Sequence, residues 1–155
     1  MPVLTIPLGV RTGLRVQVRI TLNRADLLAL RHARRPVPQP VVVTALIDTG
    51  AERSCVDPAV AARAGLPLYG FGLTAAPGTS LPPIPALGGA TANTIHQASL
   101  SIIHPARQGD LIVPEIIVQT MPLRAFGIEA VIGRDVLASC VLVYNGSTGS
   151  ATFAY

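Results

Sequence analysis

The feature that most constrains this chain is the continuous apolar run from Val41 to Ile47, Val-Val-Val-Thr-Ala-Leu-Ile, which leads directly into Asp48-Thr49-Gly50-Ala51. Seven residues dominated by β-branched and aliphatic side chains read as a central strand buried on both faces. A carboxylate at the end of such a strand is costly unless it is hydrogen-bonded or carries chemistry. Gly50 permits a tight turn that brings backbone N–H groups toward the Asp48 oxygens. A structural Asp opening a turn through its own backbone is the competing explanation.

The rest of the chain argues for a turn-rich β fold. Half of its 155 residues are apolar and only 13% are charged, with 14 Gly and 14 Pro among many Val, Ile, Leu and Thr. That composition excludes a disordered chain, and one domain over residues 1–155 fits the length. No stretch of 18 apolar residues escapes interruption, which excludes a membrane-spanning helix. The first residues lack a basic segment followed by an apolar one, so a cytoplasmic location is expected. Val16, Val18, Ile20 and Leu22 alternate with polar residues as in a half-buried strand. Residues 24–35 can hold a short helix, ended by Pro36, Pro38 and Pro40. Asp57 is placed to cap a helix with Pro58 at its first position and Gly65 beyond its end. Residues 97–103 and 111–119 read as strands, with Pro114 marking a bulge or a boundary. Residues 140–144 and 151–155 read as a closing hairpin around Asn145-Gly146.

Other constellations carry little. All twelve basic residues are Arg and the formal net charge is +4. They are scattered apart from Arg31, Arg34 and Arg35, and six aromatic residues are poor material for stacking bases, so no nucleic-acid partner is expected. His32, His96 and His104 are isolated and read as surface or loop residues. Cys55 and Cys140 are far apart and read as two buried free thiols. No spacing suits a metal or a cofactor.

A second element sharpens the first. Ala130-Val131-Ile132-Gly133-Arg134-Asp135 is another short apolar strand running into a glycine. Leu46-Ile47-Asp48-Thr49-Gly50-Ala51 followed downstream by Val131-Ile132-Gly133-Arg134-Asp135 resembles the retroviral-type aspartic proteases, the retropepsins, and their single-domain bacterial forms in particular. The resemblance implies an all-β fold, a closed β-barrel or sandwich with one or two short helices at about 57–64 and 134–139, and a Pro/Gly-rich flap region. It implies an aspartic endopeptidase with Asp48 as the catalytic carboxylate and Thr49, Gly50 and Ala51 supporting it. It further implies a structural ion pair between Glu52 and Arg134, with Ile132 and Gly133 packed beneath the Asp48 loop. Leu81, Ile84, Leu87, Gly88 and Gly89 would belong to the flap that meets a peptide or protein substrate. Prolines at 77, 82, 83 and 85 limit strand pairing there, so the flap is either a long open loop or one that orders with substrate. Two facing carboxylates are needed for this chemistry, and the chain has one Asp-Thr-Gly, so a homodimer is required. Residues 3–8 and 152–155 are candidates for sealing it by interleaved ends, and the C-terminal hairpin offers a different seal as the alternative. The alternative is a catalytically inactive dimer of the same fold that serves as a binding or assembly module.

Overall fold

The structure is a computed structural model and describes residues 2–7, 9, 13–71, 94–106 and 108–155. In chain order the strands are β1 (Val3–Pro7), β2 (Arg15–Thr21), β3 (Val41–Ile47), β4 (Cys55–Val56), β5 (Leu68–Phe71), β6 (Thr94–Ile102), β7 (Leu111–Thr120), β8 (Ala130–Ile132), β9 (Val141–Asn145) and β10 (Ser150–Ala154). Among the described residues three α-helices join them, α1 (Arg24–His32), α2 (Pro58–Arg63) and α3 (Arg134–Leu137), with a single 3-10 turn at Arg124–Phe126.

The larger sheet runs β2-β3-β8-β4-β7-β6-β5, and β6 also pairs back onto β2 through Val18↔Ile102 to Thr21↔Ser99. That second pairing closes six strands into a barrel and leaves β5 as an extension on β6. The fold is therefore all-β in its framework, as expected. Inward-pointing Val18, Ile20, Ala45, Ile102, Ala130 and Ile132 are wholly buried. Each large aliphatic side chain removed from water in this way contributes about 1.5–3 kcal/mol. The alternation predicted for β2 is present, with Val16, Val18 and Ile20 inside. The prediction for β3 needs correction. The strand is central, between β2 and β8, but it is not buried on both faces: its burial alternates, and Val42 is 49% exposed. A closed barrel has one interior, so even an apolar run through its wall turns every second side chain outward.

Pro114 lies inside β7. Ala98 faces Ile116 while Leu100 faces Val113, so β7 spends one residue more than β6 across this step, a bulge at the proline.

The smaller sheet has the order β1-β10-β9. The predicted hairpin is β9 and β10, and its turn is held by the Asn145 side-chain oxygen, which accepts from the Ser147 and Thr148 N–H groups. β1 pairs along β10 from Val3↔Ala154 to Pro7↔Ser150, so the two ends of the chain lie against each other within one protomer. Phe153 between them is fully buried and joins Leu4 and Ile6 in the core.

The short helix expected within residues 24–35 is present as α1, beside the two that the resemblance implied. Asn23 caps it, its side-chain oxygen accepting from the Asp26 N–H at 2.8 Å, and Leu27 and Leu30 rest on the core. Arg31, Arg34 and Arg35 at its end are exposed. α2 is capped by Asp57 as predicted, and Gly65 ends it in the left-handed conformation at φ +62°, where an added Cβ would lie 2.5 Å from the Pro38 ring. His104 corrects the view of the histidines: it is 4% exposed, with the Ala106 N–H donating to Nδ1 and Nε2 bonded to the Val3 carbonyl. His96 sits on β6, half-buried and bonded to Thr94 Oγ1. Both cysteines are free, Cys55 buried but Cys140 only half-buried. No helix among the described residues is long and apolar enough to cross a membrane.

Candidate active site

Asp48 is placed by β3 and β8. These strands are parallel neighbours, Ala45↔Ala130, Leu46↔Val131 and Ile47↔Ile132, so the Asp-Thr-Gly turn and Gly133 leave the barrel side by side. The Asp48 N–H donates to the Ile132 carbonyl at 3.0 Å and extends the ladder by one step. The chain then turns: the Ala51 N–H donates to the Asp48 carbonyl at 3.2 Å, and the Gly50 N–H donates to Asp48 Oδ1 at 2.8 Å. Asp48 is half-buried while Thr49 and Gly50 are exposed. The carboxylate thus has one oxygen held by the backbone at the mouth of the barrel. Ala51 brings no hydroxyl to it. The Thr49 hydroxyl has no hydrogen-bond partner among the described residues.

The second motif fastens this turn from below. Gly133 is extended, at φ −95° and ψ −175°, so its conformation does not require glycine. Its surroundings do: a Cβ there would lie 2.6 Å from the Arg53 carbonyl carbon and 2.8 Å from its oxygen. Only a residue without a side chain lets the two backbones approach so closely. The Gly133 N–H donates to Ser54 Oγ at 3.0 Å, and the Arg134 N–H donates to the Ala51 carbonyl at 2.9 Å. Ile132 pairs with Ile47, the residue before Asp48, and is fully buried.

The expected Glu52–Arg134 ion pair is not formed. Both side chains are exposed, and no ion pair joins them among the described residues. The cross-link is made one position along, by residues that sequence reasoning missed. Asp135 accepts from the Ser54 N–H at 2.8 Å and the Ser54 hydroxyl at 2.7 Å, and also from the Val136 N–H at 2.9 Å. Ser54 is fully buried, so the carboxylate reaches it where a bond to a charged group counts for more than a surface ion pair. A Ser six residues beyond the Asp and an Asp two beyond the glycine are weak signals alone. Only the contact between the two motifs makes them a pair.

Cys55 lies under the same turn. Burial pushes its thiol up to about 11, and the negative charges of Asp135 and Asp48 add to the effect. It is therefore a neutral packing group. Asp57, read only as a helix cap, does more: it accepts from the Ala59 N–H at 3.0 Å and from the Leu123 and Arg124 N–H groups, tying α2 to the 123–124 turn.

Of the residues expected at the site, Asp48, Thr49, Gly50, Ala51, Ile132 and Gly133 come together. Leu81, Ile84, Leu87, Gly88 and Gly89 lie outside the described residues. No group of three or more His, Cys, Asp or Glu suited to a metal stands among the described residues.

No family model and no curated protein matches the sequence. Among solved structures the chain is similar to a retropepsin-like aspartic protease from Rickettsia conorii, with a TM-score of 0.55 and 12% identity over 99% of this chain and 91% of that one. At that identity the likeness is one of fold, and the fold of this chain is retropepsin-like.

Proposed function

We propose that the protein is an aspartic endopeptidase, active as a homodimer in which each subunit contributes Asp48. The observation that carries this reading is the Asp48 turn itself: a carboxylate hung from paired barrel strands, one oxygen held by the Gly50 N–H, on a retropepsin-like fold. One such carboxylate is half of a catalytic pair. Two brought together share a single proton, because like charges about 3 Å apart cannot both ionise cheaply. The ionised member takes a proton from a water held between them, and the protonated member polarises the scissile carbonyl. The unpartnered Thr49 hydroxyl is free to bond across the dimer axis and stiffen the two turns. Leu81, Ile84, Leu87, Gly88 and Gly89 would close over an extended peptide bound through its backbone. The reading takes residues 1–155 as one such domain. Two free thiols suit a reducing compartment such as the cytoplasm.

The test is hydrolysis of a peptide library by the wild type and by Asp48→Asn. The amide keeps an oxygen for the Gly50 N–H, so the fold should persist while cleavage falls about 10³-fold, as expected for loss of an acid–base group. Cleavage that survives the substitution overturns the reading.

A further inference from the structure

The barrel end away from Asp48 carries the basic cluster that the proposed function leaves unused. β2 and β3 pair from Arg15↔Leu46, near the Asp48 turn, to Ile20↔Val41, and α1 with residues 33–40 joins them at that second end. β3 has seven residues, so about 20 Å of strand separates the junction from Asp48. Leu27 and Leu30 of α1 rest on the core. Arg24, Leu28 and Arg31 recur at helical spacing on an exposed flank, Leu28 being 42% exposed, and Arg34 and Arg35 follow the helix into solvent. Among the described residues none of these four arginines enters an ion pair, and the one acid of residues 24–35, Asp26, is half-buried. Helix chemistry does not account for them. Arg31 suits the negative end of the helix dipole, but Arg24 stands at the positive end, where a cation is disfavoured. The helix closes with the Arg35 N–H donating to the Leu30 carbonyl at 2.9 Å and the Arg34 N–H to the Arg31 carbonyl at 3.0 Å, a stop that is usually made by a left-handed glycine. Here the left-handed residue is Arg34, at φ +52°, the one non-glycine with positive φ among the described residues.

We infer that this face docks peripherally on an anionic lipid membrane: the arginines meet the charged headgroups, and Leu28 enters the boundary between headgroups and acyl chains. A membrane held against this end leaves the Asp48 corner, at the other end of β3, turned to solvent. A nucleic acid suits the face less well. It would leave Leu28 idle, and residues 24–40 contain no Phe, Tyr or Trp on which a base could stack. Four arginines and one leucine give weak, reversible, salt-sensitive binding and not insertion.

The experiment is co-sedimentation of the full chain with vesicles, at low and at physiological salt, for the wild type, Arg34→Gly, the double variant Arg31→Gln with Arg35→Gln, Leu28→Gln and Arg134→Gln. One set of vesicles is phosphatidylcholine, and in the other about a third of the lipid is phosphatidylserine. The wild type should pellet with the anionic vesicles at low salt, less so at physiological salt, and not with the neutral ones. An arginine near an anionic surface is worth about fivefold in affinity, so Arg34→Gly should bind about fivefold and the double variant about 25-fold more weakly. Leu28→Gln should lose about fivefold through its apolar contact. Arg34→Gly separates binding from folding, because glycine prefers the left-handed position: it should unfold at no lower temperature than the wild type and still bind less. Arg134→Gln removes the same charge beside the Asp48 corner and should bind as the wild type does. A wild type that fails to pellet with anionic vesicles at low salt overturns the inference. So does equal pelleting with neutral vesicles, or a loss in Arg134→Gln as large as in Arg34→Gly. An oligonucleotide is the rival ligand, and binding to it as tight as to the vesicles and indifferent to Leu28→Gln overturns the inference too. Vesicle binding needs no Asp48 and should be the same in Asp48→Asn, so peptide cleavage and membrane docking stand or fall separately.

Discussion

At the Asp48 corner the backbone N–H groups of Asp48, Gly50, Ala51, Ser54, Gly133 and Arg134 all donate to partners within the two motifs. Along β9 the situation is reversed: the strand is paired on one side and turns apolar side chains to solvent. The corner is closed, polar and intolerant of added atoms, whereas the sheet's strands carry no charge and β9 has a strand neighbour on one side only among the described residues. The first arrangement holds a carboxylate still, and the second leaves room for another molecule. On the proposed reading of the corner as half of a catalytic pair, both matter, because rigidity at the acid has value only if its counterpart can reach it.

The contrast is broken most sharply with glycines. Gly133→Val should lower stability by about 3 kcal/mol, because its Cβ must displace the Arg53 backbone at 2.6 Å and not the end of a flexible side chain. For a chain of this length that is a fall in Tm of roughly 6–12 °C. Gly146→Ala in the β9–β10 turn should change stability by less than about 0.5 kcal/mol, since its Cβ would meet only the Tyr144 ring at 3.6 Å, an ordinary contact. Thermal unfolding of the two variants measures the difference. Equal losses would mean that the corner is no tighter than the hairpin.

The cysteines sharpen the same contrast through pH. Cys55 under the corner has its thiol raised from 9.0 to about 11, and Cys140 before β9 is raised as well, burial leading in both. A folded value above the unfolded one means that the contribution is fully present below pH 9 and disappears as the pH climbs through 11, because the unfolded chain ionises first. For Cys55 alone the loss is about 2–3 kcal/mol. Tm should therefore decline between pH 8.5 and 11, and Cys55→Ala should remove most of the slope. Tyr155, also raised by burial first, leaves a residual slope common to both proteins. A slope unchanged by Cys55→Ala would show that the thiol under the corner is wetter than the structure has it.

What could be seen in the sequence was local. The strand before Asp48, the Asp57-Pro58 helix start, the Gly65 stop and the 140–155 hairpin are each written within a few residues, where propensity and turn chemistry act. What escaped depends on contacts between distant segments. β4 is two residues long and exists because it fits between β7 and β8. β1 is a strand because β10 arrives beside it from the other end of the chain. His104 is buried because the first strand passes over it, which no feature near residue 104 announces. At the site, the Asp and the glycine were legible because two apolar runs, one ending in Asp-Thr-Gly and one in a glycine, occur in the same chain. The fastening between them was not, because Ser54 and Asp135 are ordinary residues until the fold joins them.

The misassigned ion pair supplies the finest test of how the corner is held. If Asp135 does the holding, Asp135→Ala strips the buried Ser54 N–H of its acceptor and should cost about 1–3 kcal/mol. It should also reduce peptide cleavage, since the Asp48 turn would lose the strut that fixes it to α3. Glu52→Gln removes a charge that is exposed and pairs with no described residue, so it should move stability by less than about 0.5 kcal/mol. The two substitutions lie on opposite sides of one contact and each removes one negative charge, so their difference measures geometry and not net charge. Equal effects in thermal unfolding would return the role to Glu52 and Arg134. A larger effect from Glu52→Gln would mean that the dimer, not the protomer, gives that carboxylate its partner.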